Sequence, residues 1–131
     1  MSEQAIASFD ITTWDEQPYH EGDGIRLSRT RVVKAFRGAI EGESTAELLM
    51  AVAGEDSAAY VGLERFTGRV NGRQGSFVYL HTATAVGGSR SASWPVLAGS
   101  GTGELAGISG QLRIDNLPDG GHVVTLDYDL D

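Results

Sequence analysis

With 131 residues the chain is long enough for one domain with a sizeable core, and with no cysteine it has neither a disulfide framework nor a thiolate metal site. Its formal charge of −8 favours solubility and repels phosphate backbones, so nucleic acid is not an expected partner. The start, Met1-Ser2-Glu3-Gln4, lacks a secretory signal, and the longest apolar run, Leu48 to Ala53, falls far short of the ~20 residues of a membrane helix; the expected location is cytoplasmic, with no membrane partner.

Apolar residues alternate with polar ones along much of the chain, at the period of a strand. The first run is Ala5 to Trp14, where Phe9 and Ile11 alternate with Asp10 and Thr12. Asp15 to Gly24 reads as a polar loop, and Trp14-Asp15-Glu16, at the junction of strand and loop, is expected to close one end of the barrel. Ile25 to Ile40 is the second run, and its Arg26, Arg29 and Arg31 are expected outside or paired with carboxylates. The third, Glu43 to Ala53, has helical propensity in Ala-Glu-Leu-Leu-Met but sits among strands joined by short turns, and is assigned as a strand. Tyr60 to Val70 and Arg73 to Thr84 form a hairpin across Asn71-Gly72, because both turn positions need positive φ. Ser89 to Leu97, Gln111 to Leu117 and His122 to Leu130 complete eight strands. The expected fold is all-β: a closed, eight-stranded antiparallel meander barrel in a single domain, which leaves no strand edge exposed.

A two-residue loop at Asn71-Gly72 places Phe66 opposite Phe77, Glu64 opposite Tyr79 and Gly62 opposite His81, all on one face. That face, with Tyr60, is assigned to the interior. The opposite face, with Val61, Leu63, Val78 and Leu80, is expected to be covered by a second copy of the chain, as a homodimer ahead of a trimer. A four-residue loop from Ala85 to Gly88 would set Trp94 opposite Tyr79 and Ala92 opposite His81. A three-residue loop at Asp119-Gly120-Gly121 would align Leu112 and Ile114 with Tyr128 and Leu126.

Two motifs resemble functional ones and lack their context. The segment from Gly99 to Gly107 is rich in glycine, but no Gly-Lys-Ser/Thr follows and no βαβ unit surrounds it, so it is expected to cap one barrel end rather than hold a phosphate. His20, His81 and His122 are far apart in sequence, without metal-ligand spacing, and no metal or cofactor is expected. The inward patch of Glu64, Tyr79 and His81 is the one constellation suited to chemistry: a buried carboxylate beside an imidazole can move a proton, and a phenol can donate to a developing oxyanion. The same three residues would equally serve as a satisfied polar cluster in a core. Tyr60, Phe66, Phe77, Trp94 and Tyr128 are the candidate lining of an interior pocket for a small hydrophobic ligand.

The stretches Ser44-Thr45-Ala46-Glu47-Leu48-Leu49-Met50, Tyr60-Val61-Gly62-Leu63-Glu64-Arg65-Phe66, Gly72-Arg73-Gln74-Gly75-Ser76-Phe77 and Gly99-Ser100-Gly101-Thr102-Gly103-Glu104-Leu105-Ala106-Gly107 resemble a bacterial domain-of-unknown-function family, number 3224. The resemblance implies a barrel like that of allene oxide cyclase and the plant dirigent proteins, and it implies no activity for particular residues. Three functions remain open: a ligand-binding barrel, a cofactor-free isomerase or cyclase acting on a hydrophobic substrate, and a structural or stress-related oligomer with a filled core.

Overall fold

The computed structural model describes residues 2–130. Eight strands follow one another: β1 (Glu3–Gly22), β2 (Ile25–Gly38), β3 (Ile40–Ala53), β4 (Ser57–Val70), β5 (Arg73–Val86), β6 (Ser89–Pro95), β7 (Ser109–Asn116) and β8 (His122–Asp129). Each pairs with the next, and β8 returns antiparallel to β1, so the meander closes into a barrel. A single 3-10 turn, Gly103–Leu105, is the one helical element among the described residues. No helix there is long and apolar enough to cross a membrane. The helix-prone Ala-Glu-Leu-Leu-Met run lies within β3, with a partner strand on each side.

The β4–β5 register is the one expected. Phe66 pairs with Phe77, Glu64 with Tyr79 and Gly62 with His81. Asn71 and Gly72 take φ of 48° and 82°, the left-handed pair that a two-residue hairpin turn demands. The assigned face is also the interior one: Phe66 and Phe77 are buried, whereas Leu63 and Val61 are about half exposed on the outside.

Three local expectations are corrected. The polar stretch from Asp15 is not a loop: β1 continues to Gly22 and turns at Asp23-Gly24, with φ of 57° and 77°. Ladder hydrogen bonds need only backbone, so the strand outlasts its apolar alternation as an exposed ribbon paired with β2. The β5–β6 turn is the two-residue Gly87-Gly88, which sets Trp94 in line with His81 and pairs Ala92 with Ala83. The β7–β8 loop has five residues, because Asn116 pairs with His122; Leu112 therefore meets Leu126, and Ile114 meets Val124. Both register errors are shifts of two, so the inward faces keep their identity.

The barrel is filled unevenly. At one end a chain of aromatic contacts runs from Phe9 through Phe36, Phe66 and Phe77 to Tyr79, with ring centroids 5.4–6.1 Å apart. The glycine-rich β6–β7 connection closes this end as expected, inserting the buried Leu105 and Ile108. Thr102 secures it to β5, donating its N–H to Ser76 O and accepting from Ser76 N–H. At the other end, interspersed with the larger Tyr60, Arg90 and Trp94, several inward positions of β4, β5 and β6 are small: Ala58, Ala83, Ala85 and Ala92. Side chains of that size cannot meet across a barrel of eight strands, so this end stays hollow.

Candidate functional site

The hollow end is a cup of about 660 Å³ that opens to solvent between the β1–β2, β3–β4 and β5–β6 turns. Its wall is mainly apolar, with Val32, Leu48, Met50, Tyr60, Ala83 and Trp94 among the lining residues. Trp14 and Glu16 also reach it, because an extra residue at Thr12 breaks the alternation of β1 and turns both side chains inward. Glu16 pairs with Arg26 at 2.8 Å, so the loop expected to close an end in fact forms part of the rim.

Polar chemistry is concentrated at the floor. Glu64 is fully buried, and its Oε1 accepts from Lys34 Nζ at 3.0 Å and from His81 Nε2 at 2.7 Å. Its Oε2 accepts from the Ser44 hydroxyl. The Trp94 indole N–H donates to His81 Nδ1 at 3.1 Å. An indole nitrogen can only donate, so Nδ1 must accept, and the ring proton sits on Nε2, aimed at the carboxylate. Lys34 Nζ also lies 4.8 Å from the centroid of Phe9, over the face of the ring.

This surrounding sets the ionisation of the acid. Burial alone would raise the Glu64 carboxyl, but the His81 hydrogen bond, the Lys34 charge, the electrostatic pull of the His81 ring and the Ser44 hydroxyl together hold it down at about 2. The neighbouring phenols move the other way. Burial, then the charge of Glu64, pushes Tyr79 well above the usual phenol range. Burial also raises Tyr60; the Trp94 indole opposes that, and Glu64 adds to it. The Tyr79 hydroxyl has no hydrogen-bond partner among the described residues, although the residue stands opposite Glu64 in the ladder. Among those residues no group of three or more acidic, histidine or cysteine side chains is placed to hold a metal ion.

The candidates thus divide. Glu64 and His81 are in direct contact, and Tyr79 packs on His81 with ring centroids 5.3 Å apart. Of these three only His81 lines the cup; Glu64 and Tyr79 lie behind it. Tyr60 and Trp94 line the wall as expected. Phe66, Phe77 and Tyr128 do not: they fill the packed end, where the Tyr128 hydroxyl accepts from the Asn71 side chain at 2.7 Å. Alternation marks which face an aromatic side chain takes but not which end of the barrel it fills, so these three share a face with Tyr60 and Trp94 without sharing the cup.

Lys34 was missed. Its signal was present: it stands between Val32 and Phe36 in the inward alternation of β2, a place where a lysine must find a buried partner. Ser44 and Ser28 share the inward face of their strands and went unnoticed for want of any pattern marking them.

The sequence profile of the family described as "Protein of unknown function (DUF3224)" matches residues 5–128. A crystal structure of a protein of unknown function from the same family, from Shewanella oneidensis MR-1, is similar over 100% of this chain and 98% of that one, with a TM-score of 0.88 and 29% identity. No curated protein sequence matches the chain.

Proposed function

The chain belongs to the DUF3224 family, for which no activity is described, and from its geometry we propose that the barrel is a receptacle for a small, mainly apolar ligand. The observation that carries this is the cup itself: about 660 Å³, open at one end and mainly apolar on its wall, with polar side chains set among the apolar ones. Such volumes, ~300–1,000 Å³, and that lining are the usual features of small-molecule sites. A filled structural barrel would not leave four facing alanines at one end. An isomerase or cyclase acting through Glu64 would need the carboxylate at the cavity surface, but His81, Lys34 and Ser44 already occupy its oxygens.

The test is fluorescence titration with dimethylaminonaphthalene, whose emission brightens in apolar surroundings. Saturable binding is expected to the wild type. Ala83→Trp places an indole in the cup and is expected to weaken binding at least tenfold while the far-ultraviolet circular dichroism stays that of the barrel. Equal binding to a folded Ala83→Trp variant would remove the cup from consideration.

A further inference from the structure

The floor of the cup carries one ammonium group, Lys34 Nζ, and two hydroxyls, of Ser28 and Tyr60, that can donate or accept. Lys34 Nζ has three N–H donors, and one is used by Glu64 Oε1 at 3.0 Å. Lys34 itself lines the cup, and beyond Glu64 its Nζ faces only the Phe9 ring, with no second oxygen or nitrogen acceptor among the described residues. Ser28 is buried on the same wall. The imidazole and the carboxylate are already committed: His81 donates from Nε2 to Glu64 and accepts at Nδ1 from Trp94, and both Glu64 oxygens lie behind the wall with their donors in place. A molecule that reaches the floor therefore meets, in Lys34 Nζ, a charged donor with hydrogens to spare.

The charge at the floor decides which lone pair fits. Lys34 and Glu64 form a closed pair, with side chains 8% and 0% exposed. A ligand carboxylate at the floor would put a second negative charge beside Glu64, where, among the described residues, Lys34 is the one cation within hydrogen-bond reach of it. The same Glu64 charge already disfavours the anions of Tyr60 and Tyr79. An uncharged carbonyl oxygen would accept from the free hydrogens of Lys34 without bringing in a like charge.

We propose that the ligand carries an uncharged carbonyl group, a ketone or ester on a mainly apolar body, and that Lys34 Nζ receives the carbonyl oxygen at the floor of the cup. The proposal rests on the reading of the cup as a binding site, and it adds the ligand's chemical class and the residue that selects it.

Three probes with one common body test it: dimethylaminonaphthalene, its propionyl ketone and its carboxylate, each titrated calorimetrically into the full chain at neutral pH. The ketone is expected to bind at least about tenfold more tightly than the bare body, as a charge-assisted hydrogen bond allows, and the carboxylate no more tightly than the bare body. Replacing the ion pair with uncharged groups, Lys34→Met together with Glu64→Gln, is expected to narrow the ketone's advantage to about twofold or less. A second readout needs no variant: the infrared carbonyl stretch of the bound ketone should lie below its value in dry hydrocarbon. Tightest binding by the carboxylate, a ketone no better than the bare body, or a hydrocarbon-like stretch would each overturn the proposal. If the bare body binds and the ketone gains nothing, only the carbonyl assignment falls. If no probe binds, the receptacle reading falls and takes this proposal with it.

Discussion

Glu64 is the residue whose surroundings have the most to say about the protein. An ionised carboxylate with no exposed surface survives only because lysine, histidine and serine hydrogens converge on it. Lys34→Met should therefore cost about 3–5 kcal/mol in denaturant unfolding, the usual result of leaving a buried charge unpaired. Adding Glu64→Gln should recover part of that loss, since the remaining amide needs hydrogen bonds but no counter-charge. The wild type should also have a defined acid limb. The folded carboxyl titrates at about 2, below its ordinary 4.5, so it contributes stability above about pH 4.5 that is lost as pH falls toward 2. A shift of that size corresponds to about 3 kcal/mol, and urea midpoints measured down the pH scale would show it. A midpoint that stays flat across that window would mean the carboxylate is not held as the geometry implies. The Glu64–His81 contact was legible in the sequence because the Asn71-Gly72 turn fixes the β4–β5 register. The Lys34 contact comes from two strands away, and no local turn fixes that distance in sequence.

At the scale of the strand, legibility followed the turns. Where an Asn-Gly pair demanded left-handed backbone, the register was right to the residue. Where glycines allowed several loop lengths, as at Gly87-Gly88 and Asp119-Gly120-Gly121, the face was right and the pairing was off by two. In β1 the polar composition concealed a strand that an Asp-Gly turn was announcing at residues 23 and 24. Pairing also shows where the barrel is weakest. Strand β6 joins β7 through only two ladder pairs, Trp94 with Leu112 and Pro95 with Gln111, whereas β3 and β4 share an uninterrupted ladder from Ile40/Val70 to Ala53/Ser57. Amide exchange should accordingly be fastest, among the strands, in Ser89–Pro95 and slowest in β3 and β4. Trp94→Phe, which removes the hydrogen bond to His81 that ties β6 to the floor, should speed it further. Protection of β6 equal to that of β4 would contradict this ranking.

The whole molecule is a barrel with a packed end and a hollow one, and its outer surface adds a second apolar feature. Leu49, Val61 and Leu63 lie together on the outside of β3 and β4, each about half exposed. Apolar groups clustered on a sheet face are commonly covered in solution, and we propose that a second copy of the chain covers these. Sedimentation at micromolar concentration should then show a dimer that Leu63→Lys converts to monomer; a monomeric wild type would end this proposal. The closed meander was legible from eight apolar runs and the turns between them. The hollow end is recorded in the inward alanines of β4, β5 and β6, but alternation fixes only the face a residue takes, not how far its side chain reaches across the barrel.

The outer patch is also the natural competitor for any apolar probe, so the deciding measurement must locate the ligand. Nitrogen–proton correlation spectra recorded during titration with dimethylaminonaphthalene do so residue by residue. Binding in the cup should move the amides of Ala83, Ala85, Ala92 and Trp94, together with the Trp94 indole signal, and leave Leu49 and Leu63 in place. Shifts confined to Leu49, Val61 and Leu63, with the Trp94 indole signal unmoved, would contradict the account.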